Sequence, residues 1–127
     1  RDGVRLHGYV ADPSPLLASA AAMVVPLRAG GGMRVRILEG LAREMPIVTT
    51  SIGCEGIAAE PGRHLLVGDE AAGFAAAVLR LLDDRELGVG LGRAGRRLIE
   101  ERYDVAVAAG AVGRLYAAAA ARAREPR

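Results

Sequence analysis

Three glycines in a row, Gly30-Gly31-Gly32, run into Met33-Arg34-Val35-Arg36, and Glu39 follows three positions later. Glycines let a backbone approach a ligand closely and take up positive φ. A helix is expected to begin near Met33. Its first N–H groups lack partners within the helix and favour an anion, by roughly 0.3–1 kcal/mol from the dipole alone. Arg28, Arg34 and Arg36 add positive charge nearby. The chemistry suited to this corner is phosphate binding. A carboxylate such as Glu39 offers two acceptor oxygens and no donor, which suits the vicinal hydroxyls of a ribose. Glu39 also stands four residues before Arg43, and a surface pair at that spacing is worth about 0.2–0.5 kcal/mol. Spacing alone leaves both roles open for Glu39. It equally leaves open a glycine-rich connector that binds nothing.

Neither common phosphate motif is matched. Val35 stands where the dinucleotide fingerprint needs its third spaced glycine, and no Gly-Lys-Ser/Thr follows the loop. Other chemical candidates are thin. His7 and His64 have no partners at metal-ligand spacing, so no metal site is expected. Cys54 is the only cysteine and has no nameable base partner, so it reads as a small buried residue rather than a nucleophile. Glu55-Gly56 follows a strand end and could line a cleft.

Several elements must position these residues. Residues 4–10 alternate in part and predict a short strand. Asp12-Pro13-Ser14-Pro15 breaks it and can start a helix, capped by Asp12 or Ser14 with a proline in the first turn. Ala22-Met23-Val24-Val25-Pro26-Leu27 is short and uniformly apolar, as in a strand buried on both faces. Pro26 has no N–H and belongs at the strand end. Residues 33–44 predict a helix with Met33, Ile37, Leu38, Leu41 and Ala42 on one stripe. Pro46-Ile47-Val48-Thr49-Thr50 is a second apolar strand, and Leu65-Leu66-Val67 a brief third. Asp69, Asp84 and Asp104 are each placed to start one of three further helices. Strands alternating with helices imply a Rossmann-like α/β fold: a parallel sheet flanked by helices on both faces. Four strands are visible where an open doubly wound sheet has five or six.

Composition bounds the partners. The 127 residues suffice for one domain. With one Phe, three Tyr and no Trp, the core must come from Ala, Val, Leu and Ile. The net charge is +2 and the basic residues are interleaved with acids, so no nucleic-acid stripe is expected. A single cysteine allows no intrachain disulfide and suits a reducing compartment. No apolar run approaches the roughly 18 residues of a membrane span and no signal peptide is visible, so no integral membrane segment is expected. The cytoplasm is the expected location, with peripheral contact to the inner face of the membrane an option. Because the chain starts at Arg1 rather than Met, it is expected to be part of a longer protein.

The run from Val25-Pro26-Leu27-Arg28 through the three glycines to Ile37-Leu38-Glu39-Gly40 and on to Pro46-Ile47-Val48 resembles the donor-binding segment of GT-B glycosyltransferases of family 4, group 1. The similarity continues through Gly53-Cys54-Glu55-Gly56-Ile57, His64-Leu65-Leu66-Val67 and Phe74-Ala75-Ala76-Ala77-Val78 to Gly95-Arg96-Arg97 and Arg102-Tyr103-Asp104. It implies that residues 1–121 form part of the C-terminal, nucleotide-sugar-binding domain, with residues 122–127 a charged tail expected to fray. The family's Glu-x7-Glu pattern puts its second Glu on Glu39, implying a ribose contact, and its first on Gly31. In glycine-rich members, backbone amides take part of that role. The implied substrate-binding residues are Gly30, Gly31, Gly32, Met33, Arg34 and Glu39, with no catalytic residue in this stretch. The implied activity is sugar transfer from a nucleotide diphosphate-sugar, with retention, to a glycan or glycolipid acceptor held by an N-terminal domain outside this chain. No cofactor is implied beyond the donor, and this stretch alone is expected to be inactive. Two other readings are open: a non-catalytic interaction or regulatory module, and a GT-B sugar-nucleotide epimerase.

Overall fold

A computed structural model describes residues 3–123, with side chains to residue 121. Eight elements follow in order: α1 (Ser14–Ser19), β1 (Met23–Val25), α2 (Val35–Ala42), β2 (Ile47–Thr49), β3 (Leu66–Val67), α3 (Ala71–Asp83), α4 (Arg85–Arg102) and α5 (Val105–Ala123). The three strands form one parallel sheet in the order β1-β2-β3. Met23, Val24 and Val25 lie opposite Ile47, Val48 and Thr49, while Val48 and Thr49 lie opposite Leu66 and Val67.

Strand alternation divides the core in two. Val25, Ile47 and Leu65 face one way and meet Ile37 and Leu41 of α2 and Leu98 of α4. Val48 and Leu66 face the other way and meet Leu81 of α3 and Leu91 of α4. The apolar stripe expected on residues 33–44 is therefore real at Ile37 and Leu41, both fully buried. Its first member is not: the helix starts two residues after Met33, whose side chain is half exposed. α4 reaches both cores, and it passes close to the end of α2. A Cβ at Gly92 would lie 2.1 Å from the carbonyl oxygen of Glu44, and one at Gly95 would lie 2.6 Å from Leu41 Cδ2. Only glycine permits that approach.

Four expectations need correction. Residues 4–10 form no strand; they are almost wholly exposed, Leu6 and Tyr9 above nine-tenths. A strand needs a ladder, and no described strand lies beside this segment. The sheet has three strands rather than four. Asp69 does not cap α3: its N-cap is Glu70, with no side-chain bond. Ser51 takes the Asp69 carboxylate instead, through its N–H and its hydroxyl, each at 2.7 Å. Asp84 does cap α4, accepting from Leu87 N–H at 2.9 Å, and Asp104 accepts from Ala106 N–H at the start of α5. At α1, Asp12 accepts from Ser14 N–H, but the N-cap position belongs to Pro13.

Every described side chain of α5 is exposed. By length and composition the stretch Arg85–Ala121 contains one window apolar enough to cross a membrane, none of it buried. Its alanines supply most of that character and little area to bury. Of the tail 122–127, the first two residues continue α5 and the last four lie outside the described residues.

Candidate donor site

All three strands deliver the chain to the same edge of the sheet, where open parallel sheets bind ligands. Hydrogen bonds tie the first two exits together. Thr49 Oγ1 donates to the carbonyl of Val25 at 3.0 Å, and Thr50 Oγ1 donates to that of Leu27. Gly53 N–H returns to Thr50 Oγ1 at 3.0 Å. The two threonines read from the sequence only as strand residues; here they weld the β2 exit to the β1 exit.

The glycine loop leaves β1 through Pro26 and Leu27. Gly30 has φ 121° and Gly32 φ 84°, conformations that side-chain-bearing residues rarely adopt. Arg34 folds back over the loop. Its Nη1 donates to the carbonyl of Gly31 at 2.5 Å, and a Cβ at Gly30 would lie 2.7 Å from its Nη2. Its Nε is buried without a partner among the described residues. Arg34 thus shapes the loop as well as charging it. α2 begins directly afterwards with no side-chain cap and no acid in its first turn. The N–H groups of its first two residues, Val35 and Arg36, have no acceptor within the helix, whereas Ile37 N–H already bonds to the Arg34 carbonyl at 2.9 Å.

Gly30, Gly31, Gly32, Met33 and Arg34 therefore come together as one anion-friendly corner. Glu39 stands about one turn on, ~6 Å along the helix axis from Val35. Its carboxylate pairs with Arg43 at 3.3 Å, and Arg43 also donates to Ser14 Oγ at 3.3 Å. Arg43 remains about two-fifths exposed and Glu39 nearly half, so the pair is a solvated one that a ligand hydroxyl could join or replace at small cost.

Beside the loop lies an open cleft of about 410 Å³ that includes Leu27, Arg28, Thr50, Ser51 and Asp69. A second space of about 240 Å³ adjoins it and shares Arg28, Thr50 and Asp69. The bonds from Ser51 hold the Asp69 carboxyl below the usual carboxylate range, so one wall is anionic and Arg28 makes the other cationic. Asp69 was missed in the sequence because its partner is 18 positions away; its place just after the third apolar run was the only signal. Cys54 is half-buried, burial raises its thiol pKa, and Sγ faces the Ser51 carbonyl. That is the setting of an inert thiol. Among the described residues no cluster could hold a metal ion.

A family model described as Glycosyl transferases group 1 matches residues 1–84, two-thirds of the chain and the whole of the glycine corner. The chain belongs to the group 1 glycosyl transferases. Among solved structures, sucrose-phosphate synthase from Thermosynechococcus elongatus is similar, with a TM-score of 0.73 at 22% identity. The match covers 87% of this chain and 28% of that one, so the chain spans little more than a quarter of the length of this structural relative. The likeness is one of fold: a parallel sheet flanked by helices, as part of a GT-B glycosyltransferase. No protein of curated function matches the chain. Within the family match, the strand, glycine loop and helix form one continuous unit, while α4 and α5 lie beyond it.

Proposed function

We propose that this chain is the donor-binding part of a glycosyltransferase and holds a nucleotide diphosphate-sugar at the start of α2. The observation that carries it is the uncapped helix start facing a loop with two positive-φ glycines, with a carboxylate one turn further on. Negative charge builds up on the departing nucleoside diphosphate as the bond from the sugar's anomeric carbon to the diphosphate oxygen breaks and the acceptor oxygen takes its place. Fixed N–H groups at the loop, helped by Arg28, Arg34 and Arg36, stabilise that charge without reorganising. Glu39 accepts hydrogen bonds from the ribose hydroxyls, exchanging part of its bond to Arg43 for them. Gly31 brings no side chain to the donor sugar, so backbone amides of the loop make that contact. Retention of configuration follows the family resemblance. The acceptor, a glycan or glycolipid, and its catalytic groups come from outside this chain.

The test is a titration of the full-length protein and its Glu39→Ala variant with nucleoside diphosphates. The variant is expected to bind about tenfold or more weakly, as for loss of hydrogen bonds to a charged group. Equal affinity overturns the ribose role. The Glu39–Arg43 pair favours a second reading, in which the sheet serves only as an interaction module. That reading predicts no saturable binding of any nucleotide by the wild-type protein.

A further inference from the structure

Tyr103 belongs to none of the elements that build the donor corner, yet it bonds to a turn that lies near that corner. It closes the C-terminal end of α4. Its ring packs half-buried on the core formed by Ile37, Leu41, Ile57 and Leu98. Its hydroxyl reaches further: Ala58 N–H donates to Tyr103 Oη at 2.7 Å across 45 positions of sequence. Ala58 ends a short turn whose Ile57 is buried in that same core. The turn's Gly56 has φ 77° and lies near Met33: a Cβ there, which glycine lacks, would be 3.9 Å from Met33 Cβ and 4.0 Å from Met33 Cα and N. Ile57 of the same turn shares its core with Ile37 of α2. The turn that Tyr103 holds at Ala58 therefore lies beside the backbone that enters α2 and is packed, through Ile57, into the core that holds Ile37.

Ala58 is exposed. Without Tyr103 its N–H would bond to water at little cost, so the hydroxyl is not needed to satisfy a buried donor. The ring alone supplies the burial. What the hydroxyl adds is a fixed position for the turn. Amides that stabilise a phosphate act most strongly when their directions are set before the ligand arrives. The amides at issue are those of Met33, which neighbours Gly56, and of Arg34 and the first residues of α2 that follow it.

We propose that Tyr103 is a positioning residue for the nucleotide site: its hydroxyl fixes the turn of Gly56 and Ile57 beside Met33 and so sets the amides at the start of α2. The proposal rests on the donor-site reading above. Its test compares the full-length wild-type protein with the Glu39→Ala and Tyr103→Phe variants. Each is titrated with UDP, GDP and ADP by calorimetry, its thermal midpoint measured and its amide hydrogen exchange mapped. Tyr103→Phe keeps the ring and loses only the hydroxyl. Nucleotide binding is expected to weaken about three- to tenfold, while the midpoint moves by no more than about 3 °C. Exchange should quicken over residues 29–36 and 54–58 and stay unchanged over 47–49. Wild-type affinity in Tyr103→Phe, alongside weakened binding in Glu39→Ala, overturns the positioning role and leaves the donor site standing. A uniform rise in exchange with a large fall in midpoint also overturns it, because the hydroxyl would then be serving the core. No nucleotide bound by the wild-type protein overturns the donor-site reading and this proposal with it.

Discussion

Two glycine-containing loops meet at the carboxyl edge of the sheet, and they use their polar groups in opposite ways. The loop before α2 leaves its amides open: α2 has no cap, and the bond that shapes the loop, from Arg34 to Gly31, occupies a carbonyl rather than an N–H. The loop after β2 consumes its donors internally. Gly53 N–H goes to Thr50 Oγ1, Cys54 N–H to the Thr50 carbonyl, Ser51 to Asp69, and Ala58 to Tyr103. A loop with unspent donors is prepared for a ligand; a loop that has spent them is a brace. Glycine content alone does not separate the two.

The largest expected effect breaks the brace. At Gly53 an added Cβ would sit 2.0 Å from Thr49 Oγ1 and 3.3 Å from the Thr50 carbonyl. Thr49 is fully buried and already bonded to Val25, so it cannot move aside freely. Gly53→Ala is expected to cost about 2–3 kcal/mol in urea unfolding, in the range of overpacked cores. A cost below about 0.5 kcal/mol would mean that the two strand exits are not welded.

A smaller effect concerns the far end of the same brace. His64 is buried, and its Nδ1 accepts from Glu60 N–H at 2.9 Å. Burial, with Arg63 next in weight, lowers its pKa, and Arg97 acts in the same direction; Glu60 and Glu101 oppose them. The unfolded chain therefore binds this proton more readily than the folded one. The contribution of neutral His64 to stability is fully present above about pH 6.5 and falls as the pH drops below that value, by no more than about 1.4 kcal/mol per unit. Unfolding curves between pH 7.5 and 5 check this against His64→Gln, which is expected to flatten the dependence.

The smallest effect tests the open loop. No atom lies within 4 Å of a Cβ at Gly31, and Gly31 is not among the positive-φ glycines. Gly31→Ala is expected to change stability by less than about 0.5 kcal/mol while leaving the fold intact. A loss as large as that at Gly53 would show this loop to be packed like the other.

Much of the fold was legible because it is local. Ile37 and Leu41 obey the helical period, Val24-Val25 and Ile47-Val48 are β-branched runs between breakers, and Asp84 caps a helix three residues on. The residues of the glycine corner were legible for the same reason: strand end, loop and helix start are contiguous. The failures are non-local. Residues 4–10 carry strand chemistry, yet a strand is a property of a pair. Asp69 has the right type and place for a cap, but Ser51 offers its carboxylate two better-placed donors.

The sequence by itself determined that a strand, a glycine loop and a helix follow one another, and that the loop cannot be a dinucleotide or P-loop motif. It also placed Glu39 one turn past the loop, because α-helical rise is fixed by backbone geometry. Only the tertiary structure decided which donors remain free at the sheet edge. Arg34 turned back onto Gly31, Ser51 reached Asp69, and Ala58 reached Tyr103. Two of those bonds close loops of 18 and 45 positions, a separation at which packing rather than spacing chooses the partner.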